Sequence, residues 1–342
     1  MSTIKDVARE ARLSVTTASR ALNGHGDVAE ATRAHVRHVA AQLGYHPNHT
    51  ARSLQGTRTN TIGLVIPQLL HQRLDSFWLE FIGGASSACT TARLDLLLTT
   101  GHDLAAELGH YQRLVRSRRV DGAIVCDVRV RDPRISFLRQ SEAPFVAFGR
   151  TLGDGEVAWL DVDGAAGVRR AVEHLVALGH RRIAYLGTHR AFSFSHFRYE
   201  GYLDALLAAD LPYDEALVLH GLDQVSDLAT PLARLVALAN PPTALLACAD
   251  FLALSALRAL RELGCAVPDQ ISLVAFDDTP VTQHADPPLT SIRQDNYAIG
   301  ARLVELLVQQ LAGEVDRSQP LPHELIQPLL IPRQSTAPPR RT

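Results

Sequence analysis

From Thr61 to Leu311 the chain alternates short apolar runs with helical patterns, and that alternation restricts the fold more than any other feature. The strand candidates are Ile62–Ile66, Leu94–Leu98, Ala123–Val125 and Phe145–Phe148, then Ile183–Leu186, Leu217–Leu219, Ala244–Ala247 and Leu273–Phe276. Helical spacing falls between them at Phe77–Thr91, Gly164–Leu178, Tyr199–Ala209, Phe251–Leu263 and Ile299–Leu311. Strands this short and apolar are buried on both faces, so parallel sheets flanked by helices are expected. In such sheets a ligand sits beyond the carboxyl ends of the strands.

A length of 342 residues exceeds one ordinary core and fits two or three domains. Hydrophobic residues at 46% and charged residues at 20% describe a globular chain rather than a disordered one. The start M-S-T-I-K-D has no apolar signal core, and no run approaches the ~18 residues of a membrane helix, so a cytoplasmic protein without membrane partners is expected. The four cysteines, Cys89, Cys126, Cys248 and Cys265, form no C-x-x-C pair and read as reduced thiols; no metal or cofactor is expected. Residues 1–60 hold eight Lys or Arg against four acids, a net +4, so the remainder carries −6 of the total −2. A basic end on an acidic body suits contact with a phosphate backbone through that end, although a solvated helical surface would give the same count.

That basic end has its own helical grammar. Thr3 with Asp6 is a T-x-x-D helix start, and Val7, Ala8 and Ala11 recur on one face. Leu13-Ser14 turns the chain, with Ser14 as the next N-cap. A second helix, Val15 to Leu22, is expected to bury Ala18 and Leu22 and to stop at Asn23-Gly24. Val15, Thr16, Ser19 and Arg20 are left on the outer face, where short side chains permit close approach to base edges and Arg20 reaches a guanine or a phosphate. A third helix around Glu30–Leu43 turns Val36, Val39, Ala40 and Leu43 inward and stops at Gly44.

Three strings here resemble the LacI/GalR family of bacterial transcription regulators: T-I-K-D-V-A near the start, S-V-T-T-A-S-R-A-L-N-G, and L-G-Y-H-P-N-H-T-A-R-S-L. Further matches follow in order, among them T-I-G-L-V-I-P at 61–67, G-H-R-R-I-A-Y-L-G at 179–187, V-P-D-Q-I-S-L-V-A-F-D-D at 267–278 and P-P-L-T-S-I-R-Q-D at 287–295. The resemblance implies an all-α helix-turn-helix head on an α/β, two-lobed sensor like a type I periplasmic binding protein. The implied domains are a head at 1–47, a hinge helix and linker at 48–60, an effector-binding and dimerisation domain at 61–335 and a tail at 336–342. One lobe would hold about 61–159 and 293–322 and the other about 160–290 and 323–335, with crossings near Leu160, Leu289 and Pro322. It implies operator contacts from Thr3, Ser14, Val15, Thr16, Thr17, Ser19, Arg20 and Asn23, and from Asn48, Ala51, Arg52 and Leu54 in the hinge. Leu54 would be an apolar wedge in the minor groove. The family usually places a serine at position 29; this chain has Ala29, and Asp27 is the nearest substitute cap.

For the sensor, the resemblance points first to Arg198 and Asp277, a fork of donors beside paired acceptors for vicinal hydroxyls. Phe77 and Trp78, with Phe192, Phe194 and Phe197, would stack on a sugar ring, the alternative for each being core packing. Asp250 is expected at the effector, but beside it stands Ala249 where most members have asparagine, so a polar anchor is missing and Arg150 or His196 is expected to replace it. The implied function is a homodimeric repressor of a pseudo-palindromic double-stranded DNA operator, controlled by a small molecule, with a carbohydrate favoured and a purine as the alternative. A solute-binding protein and an enzyme on the same layout are the rival classes. G-H-G-D-V-A at 24–29 follows a helix where a dinucleotide site needs a strand, and D-V-D-G at 161–164 lacks the glutamate of a calcium loop.

Overall fold

The computed structural model describes residues 2–22, 26–45, 58–67, 76–152, 157–222, 228–313 and 321–340, which fall into two compact units, Met1–Thr59 and Asn60–Thr342. The expected hinge at 48–57, with Asn48, Ala51, Arg52 and Leu54, lies outside the described residues, as does Asn23.

The first unit is all-α: α1 (Ile4–Glu10), α2 (Val15–Leu22) and α3 (Glu30–Gln42). The Asp6 carboxylate accepts the Thr3 amide at 2.9 Å and the Thr3 hydroxyl at 2.7 Å, which fixes the entry to α1. Ser14 caps α2, its hydroxyl accepting the Thr17 amide at 3.0 Å and bonding the Thr17 hydroxyl at 2.8 Å. Gly44, at φ +59, takes the left-handed position that ends α3. Val7, Val36, Val39 and Ala18 form the core. Ala21 fills the place expected of Leu22, which is only partly buried. Ala29 makes no side-chain cap, and Asp27 does not replace one: it pairs with Arg20 instead.

The second unit runs β1 (Thr61–Pro67), α4 (Ser76–Thr91), β2 (Asp95–Gly101), α5 (Leu104–Arg116), β3 (Gly122–Val125), α6 (Pro133–Gln140), β4 (Phe145–Phe148), β5 (Trp159–Val162) and α7 (Gly164–Ala177). It continues β6 (Ile183–Leu186), α8 (Ser193–Ala208), β7 (Val218–Leu219), α9 (Ala229–Val236), β8 (Ala244–Ala247), α10 (Asp250–Glu262), β9 (Ser272–Asp277), α11 (Pro280–Gln283), β10 (Thr290–Arg293), α12 (Asn296–Ala312), β11 (His323–Ile326) and β12 (Leu329–Ile331). Two six-stranded sheets result, ordered β11-β5-β4-β3-β1-β2 and β12-β10-β9-β8-β6-β7. All pairings are parallel except β10 with β12, as the apolar runs require.

Each sheet with its helices is one lobe, so the chain passes between lobes after Val162, after Arg293 and between Ile326 and Leu329. The crossings expected near Leu160, Leu289 and Pro322 are therefore each a few residues early. Residues 160–162 complete β5, Thr290–Arg293 pairs with β9, and His323–Ile326 pairs with β5. In the first lobe α4 and α12 cross in near backbone contact: a Cβ at Gly84 would collide with the Tyr297 carbonyl, and one at Gly300 with that of Phe81. The expected tail is partly built into the second lobe. His174 bonds the Thr336 hydroxyl at 3.0 Å, and His180 holds the Ala337 carbonyl at 2.9 Å.

Candidate functional site

On the head, α2 presents Val15, Thr16 and Arg20 to solvent, Val15 being 43% exposed, an unfavourable place for a valine unless something covers it. Ser14 and Thr17 spend their hydroxyls on each other and on the helix start, and Ser19 is half-buried. Arg20 is held by Asp27 at 2.9 Å with both side chains about half exposed, so its guanidinium is available to an exchange of partners.

The second candidate site is the cleft between the two lobes, about 1110 Å³ of space with its open mouth counted. Its wall is built as the sheets dictate. Asp127 follows β3, Phe148 ends β4, Asp161 lies in β5, Asp277 ends β9 and Gln294 follows β10, all at carboxyl ends. The first turns of α8 bring Phe192, Phe194, Phe197 and Arg198 to the second lobe's side of the cleft, beside Asp277, because the helix starts at Ser193, six residues before the expected Tyr199.

Arg198 and Asp277 meet as expected, at 3.4 Å and almost wholly buried. Arg198 also donates to the Cys248 carbonyl, and its guanidinium lies 3.6 Å from the Phe276 ring centre. Gly164 makes room for it, since a Cβ there would sit 2.9 Å from Arg198 Cγ. Asp277 takes a second hydrogen bond, 2.6 Å from Gln294 Nε2. Its φ is +115, and that of Asp127 is +47; both carboxylates therefore stand on backbone that L-residues adopt only at a cost. Two buried polar atoms of the wall, Arg198 Nε and Gln294 Oε1, have no hydrogen-bond partner among the described residues.

Phe77, Trp78 and Phe194 line the cleft with Arg198 and Asp277; three other expected residues do not. Asp250 is turned inward, accepting the Thr279 amide and hydroxyl, each at 2.7 Å, and burial together with the nearby Asp277 charge pushes its carboxyl well up. Arg150 donates to Asp161 at 2.7 Å and lies 4.0 Å from the Phe197 ring centre, so it braces two wall residues from behind. His196 packs edge-on against Phe197 and lies outside the lining. In their place the wall supplies Asp127, Asp161, Thr188, Ser193 and Gln294, none of them foreseen, beside Phe148 and Phe251. Burial raises the Asp161 carboxyl, with Arg150 opposing the rise. Among the described residues, no group of three or more His, Cys, Asp or Glu is arranged to hold a metal ion, and no helix is long and apolar enough to cross a membrane.

Comparison with known proteins settles what joins these parts. Residues 3–48 match the family of bacterial regulatory proteins, lacI family, and residues 172–336 match the periplasmic binding protein-like domain. The HTH-type transcriptional regulator CelR of Thermobifida fusca is 34% identical over 318 residues, covering 91% of this chain and 92% of that one. The chain belongs to the lacI family. It is a DNA-binding transcriptional regulator with a helix-turn-helix head and a periplasmic-binding-protein-like sensor. Another lacI-type relative, the regulator AglR of Rhizobium meliloti, is 33% identical, with 98% of this chain and 94% of that one covered. Among solved structures, a CelR–cellobiose complex superposes with a TM-score of 0.74 at 31% identity, over 98% of this chain and 100% of that one. The Lac repressor dimer bound to operator and the anti-inducer ONPF gives 0.82 at 26% identity, over 98% and 99%.

Proposed function

We propose that this protein is a homodimeric, cytoplasmic repressor whose grip on a pseudo-palindromic operator is set by a neutral oligosaccharide bound between the lobes. One observation carries the choice of ligand: the cleft pairs aromatic faces with a buried guanidinium, carboxylates and an amide. Aromatic faces suit the C–H faces of sugar rings, and the polar groups suit vicinal hydroxyls. The choice of more than one ring rests on the CelR relative, which was solved with cellobiose. The protein acts by binding rather than catalysis: Asp277 is tied to Arg198 and Gln294, and Asp161 to Arg150.

On the DNA side, Val15, Thr16, Ser19 and Arg20 of α2 read the major groove, and Thr3, Ser14 and Thr17 position the head. Asn23, Asn48, Ala51, Arg52 and Leu54 complete the contact. Ligand in the cleft changes operator affinity through a coupling of ~1–3 kcal/mol, the usual range for such regulators. The test is operator binding to the protein's own promoter region, followed by fluorescence anisotropy with cellobiose, other neutral saccharides and purine nucleosides. A protein that responds to a purine alone overturns the carbohydrate reading. Leu54→Ala should weaken operator binding far more than non-specific binding, and equal losses on both defeat the wedge.

A further inference from the structure

The cleft is spanned by a second feature besides the three covalent crossings. The loop between β3 and α6 belongs to the first lobe, yet it bonds the backbone of the second. Ser193 N–H donates to the Val128 carbonyl at 2.8 Å, and Val130 N–H donates to the Ala191 carbonyl at 2.8 Å. Together they form an antiparallel bridge between Arg129 and Phe192, with the Arg129 guanidinium 4.8 Å from the Phe192 ring centre. The lobes are close enough here that a Cβ on Gly149 would lie 3.1 Å from both Ser193 Oγ and Val128 Cβ. Phe192 and Ser193 line the cleft, so the bridge forms part of its wall. Unlike the crossings, it contains no covalent link and is free to part.

The shape of this loop is set from beneath by an ion cluster that the first lobe's core does not otherwise need. Arg134, wholly buried, donates to both Asp132 oxygens at 3.0 and 2.6 Å, to Glu107 at 2.5 Å and to the Asp127 carbonyl at 3.0 Å. Asp132 in turn accepts the Arg129 amide at 3.0 Å. One guanidinium thereby fixes the cleft residue Asp127, the bridge residue Arg129 and the end of the loop. Apolar side chains of the same volume would hold the lobe together as well. A buried ion cluster here makes sense if one loop geometry must be held.

We propose that the Arg129–Phe192 bridge is a latch that keeps the two lobes closed over the ligand, and that Arg134 is its positioning residue. The ligand part of this rests on the cleft being the effector site; the latch itself does not.

The test uses the full-length protein and hydrogen exchange without ligand. Val130→Pro removes one bridging N–H and leaves every cleft side chain in place. The Ser193 amide is expected to exchange roughly tenfold faster in this variant, with the strand amides of Ile124 and Leu186 unchanged. Equal Ser193 exchange in both proteins overturns the latch, and so does loss of protection across the whole first lobe. Arg134→Met should reproduce the Ser193 effect more strongly than any change at Ile124; equal acceleration at both sites reduces Arg134 to a folding role. With cellobiose as the probe, Val130→Pro should release the sugar roughly tenfold faster, and unchanged release counts against closure over a ligand. A wild-type protein that ignores cellobiose argues against the sugar assignment, while Ser193 exchange still decides the latch.

Discussion

Replacing Arg198 with methionine separates what this side chain does for the fold from what it does for a ligand. Methionine keeps much of the length and the apolar stem but removes the partner that faces Asp277 at 3.4 Å and the donor to the Cys248 carbonyl. Asp277 would stay nearly buried, with Gln294 at 2.6 Å still bonded. Removing one member of a buried pair costs about 3–5 kcal/mol, because the other charge is left uncompensated. The 3.4 Å separation is long for a charge-assisted bond and puts the expected loss at the lower end, about 3 kcal/mol. In a unit this large, ~2 °C of melting temperature goes with each kcal/mol, so the variant should melt roughly 6 °C lower. Adding Asp277→Asn removes the stranded charge while preserving an acceptor for Gln294, and should recover most of that loss. The decisive assay is the sugar-dependent change in operator binding by the double variant, read by fluorescence anisotropy beside a thermal melt. A stable double variant that no longer responds supports contact between this pair and the ligand. A single variant that melts within ~2 °C of wild type refutes the electrostatic reasoning, and a double variant that still responds fully refutes the contact.

Burial holds the Glu107 carboxyl at about 6, above its ordinary 4.5, despite the neighbouring Arg134. The folded state therefore keeps this proton across a window in which the unfolded chain has lost it, and stability falls as pH rises from 4.5 to 6, by up to ~2 kcal/mol. Glu107→Gln should flatten that part of the urea-midpoint profile, and parallel profiles for variant and wild type would refute it. Asp27→Asn frees Arg20, so operator and non-specific affinities should both rise a few-fold at low salt and converge with wild type at high salt; unchanged affinities would remove Arg20 from the DNA contact. Gly300→Ala drives a methyl into the Phe81 carbonyl and should cost ~1–3 kcal/mol or more, whereas Gly109→Ala, in open space on α5, should gain ~0.4–1 kcal/mol, both read by denaturant unfolding.

The three-helix head and eight of the strands are legible because their signals are local: caps at Thr3 and Ser14, and apolar runs such as Ala244–Ala247. The strands that escape notice are short, and all but β12, L-L-I, contain polar residues. W-L-D-V at β5 and H-E-L-I at β11 pair with each other along one edge of the sheet, a relation between residues far apart in sequence. Missing them displaces every lobe crossing by a few residues. The same distance problem governs the cleft. Asp127, Asp161 and Gln294 are single polar residues whose only local mark is their place at the carboxyl end of a strand. That rule reaches Asp127 from the legible β3, but not Asp161 and Gln294, whose strands β5 and β10 are themselves not legible. Asp250 misleads for the opposite reason: its position suggests the cleft, but Thr279 offers it two donors on the inner side.

The cleft is also where stability has been given up. Asp127 and Asp277 occupy left-handed backbone, a departure that costs ~1–3 kcal/mol per non-glycine residue. Arg198 Nε and Gln294 Oε1 lie buried without a partner among the described residues, each worth a further ~1–3 kcal/mol in lost solvation. Such departures also occur outside the cleft, at the positive-φ residues Arg93, Arg118, Glu142 and Asp210 and at Tyr185 Oη and Asn296 Oδ1, buried and unpartnered among the described residues, but two of each line the cleft. Where such features line an open cleft, a ligand can supply the missing partners. Arg198 Nε and Gln294 Oε1, set among aromatic rings, find partners in a molecule that brings hydroxyls to the polar atoms and apolar faces to the rings. A sugar does both, and a ligand that supplies these partners in one arrangement of the lobes favours that arrangement by the difference, the differential binding energy through which a sensor acts on its head.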